Sequence, residues 1–341
     1  MENAEWYNDN RAKFEAFGKT VEEILAKGIS DKNLIIHSLT RRVKDKDSFL
    51  KKCTRKNYSD PANQMTDFVG LRIITYTTAD VEVACEIVKD LFDIDPLNSQ
   101  DKAEILGEDR VGYLSHHFIV SLGDKCNMIP EYSDICDLKA EIQVRTILQH
   151  AWAEIEHDRE YKFSGQLPDK IRRRFHLAAG ALEIIDTEFQ RLSDDIDAYK
   201  KSVKQCIAGG NLKEIAIDSV SLIEFLDNYF AGKVSEQSFD DDQEIICELL
   251  KYGINTIEDI RNLLSSDLLN YILTYYSTQE EIPETNYTFI LRSIMIMADA
   301  EKYFSKAWQR EFWSYETSTT LDFWSNYGVE KELICKYITI I

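Results

Sequence analysis

The chain has 341 residues, 44% of them hydrophobic, and a formal net charge of −20 at pH 7. This length is typical of two domains, or of one domain with a large appendage. The acidic balance disfavours broad, nonspecific nucleic-acid binding, although a local phosphate site needs only a few Lys and Arg residues.

Seven cysteines are scattered along the chain without a C-x-x-C pair, which favours reduced thiols over disulfides or a zinc site. The first residues lack the basic start and apolar run of a signal peptide, and no run of about 18 apolar residues occurs. We therefore expect a soluble, cytoplasmic protein without membrane contact.

The first 160 residues mix predicted helices and strands, and a long predicted helix follows. The spacing of apolar residues predicts an amphipathic helix over 5–27, continuing in helical style over 31–38. Thr78 or Asp80 is expected to cap a later helix. The other predicted helices are 46–56, 80–92, 146–158 and 169–205, and the predicted strands and extended segments are 39–44, 71–76, 115–122 and 138–145. This order predicts an α/β or α+β unit.

Gly209 and Gly210 interrupt the pattern most clearly, so we expect one domain over 1–208 and another over 209–341. The second domain is predicted to be helical, over 211–230, 241–251, 256–277 and 286–303. An acidic stretch at 239–242 is interpreted as a helix start rather than a metal site. The C-terminal aromatic residues are expected in a core rather than on a partner-facing surface; they are Trp308, Phe312, Trp313, Phe323 and Trp324.

A basic cluster follows the first predicted helices. Alternation places Arg42 and Lys44 on one face of an extended segment. Ser48 falls near a helix start, and Lys52 lies one turn further on the same helix face. Such a cluster suits a polyphosphate, with a solvated basic helix as the alternative.

Two further motifs precede buried strands. Asp67, followed by Gly70 just before a strand, suits a metal ligand, with a turn-capping role as the alternative. Tyr113 follows a Gly in a loop that enters the next strand, where it can stack on a base or simply pack in the loop. His117 is a candidate phosphate contact, and the adjacent His116 points to the opposite strand face.

The segment 140–146 alternates before its spacing becomes helical. Glu141, Gln143 and Arg145 share one strand face, while Ile142 and Val144 share the other. Glu141 is therefore a second carboxylate on a strand. Two acidic groups from separate strands are what Mg²⁺-dependent phosphoryl-type transfer requires.

In order and spacing, these motifs resemble the RelA/SpoT family of (p)ppGpp synthetases in its small, single-activity form. The resemblance covers about residues 20–200 and includes the segments 42–52, 67–73, 112–117, 141–146 and 152–162. It implies an α+β, nucleotidyltransferase-like fold, with a mixed five-stranded sheet flanked by helices and then the helical C-terminal region. It also implies transfer of the β,γ-pyrophosphate of ATP to the ribose 3′-hydroxyl of GDP or GTP.

The resemblance implies a role for each residue on the ATP side. Arg42 and Arg72 would sandwich the adenine. Lys44, Ser48 and Lys52 would hold the ATP phosphates.

The remaining roles concern catalysis and the acceptor. Asp67 would bind Mg²⁺, and Glu141 would bind Mg²⁺ or act as a base on the acceptor hydroxyl. Tyr113 would stack on the guanine, His117 would lie near phosphate, and Gln143 would contribute to acceptor binding.

Two departures bear on the activity. The dipeptide at 157–158 reads His-Asp, as in the hydrolase of bifunctional members, but it lies inside the closing helix of the synthetase motifs. Only about 40 residues precede those motifs, so no hydrolase activity is expected. The loop at 104–111 has one basic residue and no Pro, where small housekeeping relatives carry a Lys-rich, Pro-containing run.

Other functions therefore stay open. A toxin-type relative would pyrophosphorylate the 3′ end of tRNA, and the basic run 170–174 suits an RNA backbone, with a solvated helix face as the alternative. The C-terminal region could be regulatory, oligomerising or neutralising, and a homo-oligomer is expected. An inactive nucleotide sensor is the third hypothesis, which the presence of both Asp67 and Glu141 opposes.

Overall fold

The computed structural model describes residues 2–101, 115–123, 134–136, 138–162, 168–231, 242–264, 267–277 and 286–341. The chain forms two compact units, Met1–Asp194 and Asp195–Ile341. The domain boundary placed at Gly209–Gly210 from the sequence stays a prediction.

The first unit combines helices with a mixed sheet. Its helices are α1 (Glu2–Asp31), α2 (Lys46–Lys56), α3 (Pro61–Gln64), α4 (Thr78–Leu91), α5 (Ile147–Lys162) and the long α6 (Asp169–Ala208), which continues into the second unit. Its strands are β1 (Ser38–Val43), β2 (Val69–Thr75), β3 (Asp93–Ile94), β4 (Gln100–Asp101), β5 (His116–Ser121) and β6 (Ala140–Thr146).

The strand order in the described sheet is β1-β2-β6-β5-β3, and β4 also pairs with β5. Strands β2 and β6 are parallel, whereas β1–β2 and β5–β6 are antiparallel. The mixed sheet flanked by helices confirms the expected α+β class. Strands β3 and β4 have two residues each, too few to show an alternating pattern, so the sequence did not indicate them.

One face of this sheet is buried under α1 and α4. The stripe Phe14, Phe17, Val21 and Leu25 of α1 follows helical spacing and is almost completely buried. It packs against the apolar positions of the strands, which include Leu71, Ile73, Ile142 and Val144. Because alternate strand residues point to opposite faces, this burial leaves the polar positions on the other face.

Two local expectations need correction. Helix α1 ends at Asp31, and residues 34–37 are not helical; Asn33 adopts a left-handed conformation with φ of 52° just beyond the helix end. Helix α4 is capped by Thr77 rather than Thr78 or Asp80. Thr77 accepts a hydrogen bond from the Asp80 backbone N–H, and the Asp80 side chain accepts one from the Thr77 N–H.

The described part of the second unit is mainly helical and includes one short strand pair. After α6, its helices are α7 (Ser219–Phe230), α8 (Asp242–Tyr252), α9 (Ile257–Leu264), α10 (Asp267–Ser277), α11 (Tyr287–Ala298), α12 (Ala300–Lys302), α13 (Ser318–Asn326) and α14 (Lys331–Ile334). The helix predicted over 256–277 corresponds to α9 and α10, and residues 265 and 266 lie outside the described residues. Strands β7 (Tyr315–Glu316) and β8 (Thr339–Ile340) pair in parallel.

The core of the second unit contains Phe323 and Trp324, with Trp308 and Trp313 packed against it, as expected, whereas Phe312 is only partly buried and is not part of that cluster. Phe323 and Trp324 are each 1% exposed, and Trp308 and Trp313 pack against the same cluster. Trp324 donates its indole N–H to Ser293 at 3.0 Å, which satisfies the polar end of a buried ring.

A buried ion pair lies inside this helical core. The carboxylate of Glu248 is fully buried and accepts hydrogen bonds from Arg292 at 2.8–3.1 Å and from the Tyr303 hydroxyl at 2.7 Å. Arg292 also stacks over the ring of Trp313 at 5.5 Å. Burial beside the Glu248 carboxylate raises the pKa of Tyr303 well above its usual value.

Most of the described cysteines match the sequence expectation. Cys53, Cys85, Cys206, Cys247 and Cys335 are free thiols. Cys136 is disulfide-bonded, so the expectation of wholly reduced thiols is not met there. Within the described ranges, no helix combines the length and apolar character required to cross a bilayer.

Candidate active site

The polar face of the sheet is built by the pairing of four strands. Arg42 of β1 pairs with Gly70 of β2, which pairs with Glu141 of β6. In the next row, Arg72 of β2 pairs with Gln143 of β6, which pairs with His117 of β5. Since paired residues lie on the same face, residues distant in sequence form one surface.

Gly70 lies beneath the Arg42 side chain in this surface. A Cβ atom built on Gly70 would lie 3.4 Å from Nε and 3.6 Å from Cγ of Arg42, which is ordinary van der Waals contact. The Arg42 side chain therefore passes over the glycine backbone.

Asp67 is held between two lysines. Lys52 Nζ lies 2.7 Å and Lys44 Nζ 3.0 Å from Oδ2 of Asp67, whose side chain is 17% exposed. Burial acts to raise the pKa of Asp67, but the hydrogen bonds and charges of Lys52 and Lys44 outweigh it and lower that pKa. Oδ1 of Asp67 is buried and has no hydrogen-bond partner among the described residues.

Local backbone structure positions these lysines. The Lys44 N–H donates to the Phe68 carbonyl at 2.8 Å, which ties the end of β1 to the residue after Asp67. Asp45 caps α2 by accepting a hydrogen bond from the Ser48 backbone N–H at 2.9 Å, so Ser48 lies in the first turn and Lys52 one turn later. The Ser48 side chain is exposed. The Asp-x-x-Ser spacing could have identified this cap.

Glu141 is paired with His117. His117 Nδ1 lies 3.0 Å from Oε1 of Glu141, and both side chains are less than one fifth exposed. Burial acts to raise the pKa of Glu141, the hydrogen bond from His117 lowers it, and the net shift is downward. The charge of Asp67 also acts on Glu141, which places the two carboxylates within electrostatic reach.

The two histidines of β5 separate as the strand pattern predicts. His116 stacks on Phe118 with ring centroids 6.4 Å apart, on the face opposite His117. His117 Nε2 is buried and lacks a hydrogen-bond partner in the described part of the chain. It is therefore available for a ligand that binds beside Glu141.

A residue that sequence reasoning missed lies next to Arg72. Oε1 of Glu154, on α5, lies 3.0 Å from Nη1 of Arg72. The same oxygen lies 3.9 Å from Nη2 of Arg145 and 3.8 Å from Nδ1 of His150. Burial and the charge of Arg145 lower the pKa of His150. The four-residue spacing of His150 and Glu154 places both on one face of α5, which the sequence could have shown. The contact between Arg72 and Glu154 depends on the packing of α5 against β2, which the sequence does not show.

Other predicted residues fall outside this geometry. Tyr113 and the loop 104–111 lie outside the described residues, as does the side chain at position 157. The basic run 170–174 is exposed at its arginines on the first turns of α6, and Arg172 pairs with Asp169 at 3.3 Å.

The residues of this site can be compared with those that the expected magnesium ion would need. Among the described residues, no group of three or more His, Cys, Asp and Glu side chains could hold a metal. Mg²⁺, however, is commonly bound by one or two carboxylates together with water and substrate phosphates. The unpartnered Oδ1 of Asp67 and the nearby Glu141 fit that donor set.

Comparison with known proteins gives the class. The family model for the region found in RelA/SpoT proteins matches residues 41–166. GTP pyrophosphokinase YjbM of Bacillus subtilis (strain 168) is 31% identical over 165 residues, covering 47% of this chain and 74% of that relative. GTP pyrophosphokinase YwaC of the same organism is 27% identical over 169 residues, covering 48% and 77%. The crystal structure of small alarmone synthetase 1 from Bacillus subtilis aligns with a TM-score of 0.44 and 25% identity, covering 56% of this chain and 99% of that one.

Carboxylates, lysines and arginines gathered on and beside one face of a mixed sheet are the groups that phosphate chemistry uses. The chain belongs to the RelA/SpoT family. It is a GTP pyrophosphokinase-type transferase.

Proposed function

We propose that this enzyme transfers the β,γ-pyrophosphate of ATP to the ribose 3′-hydroxyl of GDP or GTP, in the cytoplasm, and so makes (p)ppGpp. The observation that carries the proposal is that Asp67, held between Lys44 and Lys52, lies within electrostatic reach of Glu141. Carboxylates suit a metal and a proton acceptor, and ammonium groups suit phosphate charge.

The ATP side uses the basic residues of β1, α2 and β2. Lys44 and Lys52 exchange their contact with Asp67 for the ATP phosphates, and the exposed Ser48 hydroxyl adds a donor. Arg42 and Arg72 are diagonal neighbours on adjacent strands, about 7–8 Å apart at the backbone. That spacing leaves room for a planar base between two guanidinium groups.

The acceptor side centres on Glu141. Glu141 accepts the proton of the 3′-hydroxyl, whose oxygen forms a bond to the β-phosphorus while the bond from that phosphorus to the α–β bridging oxygen breaks and AMP leaves. His117 holds Glu141 in its ionised form. Gln143 and Tyr113 complete the acceptor site, with Tyr113 stacking on the guanine.

Asp67 and Glu141 are the residues that would hold Mg²⁺, which neutralises charge on the transferring phosphates when bound. The buried and unpartnered Oδ1 of Asp67 supports this assignment.

The acceptor is tested by incubating the full-length protein with ATP labelled in the β- and γ-phosphates and, separately, with GDP, GTP, ATP and deacylated tRNA. We expect label in GDP or GTP with matching AMP release. Label in none of the acceptors would contradict the proposed transferase. Label in ATP alone would contradict the guanine acceptor while retaining the chemistry.

A tRNA 3′ end is the second candidate acceptor, because the arginines of the run 170–174 are exposed at the start of α6. Label in tRNA alone would favour this toxin-type reaction, with 209–341 as a neutralising or regulatory region. We propose a homo-oligomer for either reaction.

A further inference from the structure

Glu154 contacts Arg72 at the edge of its guanidinium group. Oε1 of Glu154 lies 3.0 Å from Nη1 of Arg72, a distance close to that of a charge-assisted hydrogen bond. The N–H bonds of a guanidinium lie in its plane, so a partner bound through one of them approaches the edge and leaves the two faces open. Arg72 can therefore keep this contact while one of its faces stacks on an aromatic ring.

A second arginine anchors Glu154 from the sheet. Nη2 of Arg145 lies 3.9 Å from the same Glu154 oxygen, and Arg145 is only 3% exposed. His150, one helical turn before Glu154, has a pKa that burial and the charge of Arg145 lower, so it is mainly neutral near pH 7 and leaves the carboxylate to the arginines. Because the buried Arg145 has little freedom to move, it restrains Glu154, and Glu154 in turn restrains Arg72.

The two arginines of the proposed adenine site differ in how they are held. The Arg72 side chain is 29% exposed and is tied to α5 through Glu154. Arg42 is exposed, and its stem passes over the backbone of Gly70. A long side chain loses rotamer freedom when it binds a ligand, and a side chain that is already held loses less of it. Arg72 is therefore the prepared side of the pair.

We propose that Glu154 is a positioning residue for the adenine of ATP. It fixes Arg72 as a platform on which the base stacks, and the exposed Arg42 then closes over the other face of the base. This inference rests on the proposed ATP site. It assigns Glu154 to the base alone, because the phosphates lie with Lys44 and Lys52.

Binding of a base and binding of phosphate separate this role from a purely structural one. An ion pair that only supported the fold would affect every ligand of the site alike. The Glu154 side chain is 54% exposed, and ion pairs of that exposure contribute little to stability. A platform for the base, in contrast, matters only to ligands that carry a base.

Calorimetric titration of the full-length protein with two probes, in the presence of Mg²⁺, tests the proposal. One probe is α,β-methylene-ATP, whose α–β bridge cannot be cleaved, and the other is inorganic tripolyphosphate, which has no base. Glu154→Gln should weaken binding of α,β-methylene-ATP by about threefold to tenfold, as loss of an exposed charged contact implies, and leave tripolyphosphate binding unchanged. Glu183→Gln, the same change at an exposed position of α6, should alter neither.

The same change in a second background identifies the residue through which Glu154 acts. Arg72→Ala should weaken α,β-methylene-ATP binding at least as much as Glu154→Gln does. Adding Glu154→Gln to Arg72→Ala should cause no further loss, because no platform is left to position. Circular dichroism should stay unchanged in all variants, since neither side chain belongs to the core.

Three results would overturn the positioning role while leaving the ATP site in place. They are equal weakening of both probes by Glu154→Gln, an undiminished effect of Glu154→Gln in the Arg72→Ala background, and unchanged binding in Glu154→Gln when Arg72→Ala weakens it. If Arg72→Ala itself left α,β-methylene-ATP binding unchanged, the proposed adenine site would be wrong, and the role of Glu154 with it.

Discussion

Asp67 illustrates how a single side chain can be prepared for a ligand. Its Oδ2 is satisfied by two lysines while its buried Oδ1 has no partner among the described residues. Leaving a buried polar atom unpaired costs free energy, and a ligand bound at Oδ1 would remove that cost.

Asp67→Asn should lower AMP release by about 100-fold or more, because the amide removes the negative charge that balances Lys44 and Lys52 and would bind metal. The measurement is initial-rate AMP formation with ATP and GDP. Asp90→Asn, the same change on the exposed side of α4, is the matched control. Equal rates for both variants would remove Asp67 from the site.

His117→Ala should shift the pH profile. Without His117, burial still raises the pKa of Glu141 but the hydrogen bond that lowers it is lost, so this pKa rises. At a pH near this pKa, a smaller fraction of Glu141 is ionised. The acidic limb of the pH dependence of kcat/KM therefore moves to higher pH. His116→Ala, on the opposite face of the same strand, should leave the limb in place. An unmoved limb in His117→Ala would contradict the role of Glu141 as proton acceptor.

At the scale of elements, the capping box formed by Thr77 and Asp80 stabilises the start of α4. Thr77→Ala should reduce the free energy of unfolding of the first unit by about 1 kcal/mol, because it removes the hydroxyl that accepts the Asp80 backbone N–H and donates to the Asp80 carboxylate. Urea unfolding measures the change. Thr187→Ala, an exposed threonine within α6, should cause no comparable loss.

The sequence predicted the strands of the site well, but not the contacts between residues that are far apart in the chain. Strands β2, β5 and β6 were predicted to within about two residues, because buried strands alternate or run apolar. The pairs Glu141–His117 and Arg72–Glu154 were missed. Each depends on register or packing between segments far apart in the chain, which local spacing does not encode. Asp67 and Lys52 were recognised, but their direct contact was not.

At the scale of the whole molecule, the two units have separate apolar cores. We expect two unfolding transitions in calorimetry, since each core is formed from its own unit. The sequence predicted the aromatic residues of the second core but not its buried Glu248–Arg292 pair. Charged residues are rarely buried unless paired, and the sequence around each of these two residues does not indicate its partner.

Arg292→Met should destabilise the second unit by roughly 3–5 kcal/mol, because it leaves Glu248 buried without its counter-charge. Only one calorimetric transition should move. The double variant Glu248→Leu, Arg292→Met should recover part of the loss, since no charge is then buried alone. A double variant as unstable as the single one would show that packing, not charge, sets the cost.

The pairing of β2 with β6 has a consequence for how this sequence tolerates change. Gly70 faces Glu141 and Arg72 faces Gln143, so the polar face exists only in that alignment. Deleting one residue within 140–146 would turn the site carboxylate inward and an isoleucine outward. Insertions and deletions between the strands would therefore leave the polar face intact, whereas a change of length within these seven residues would disrupt it.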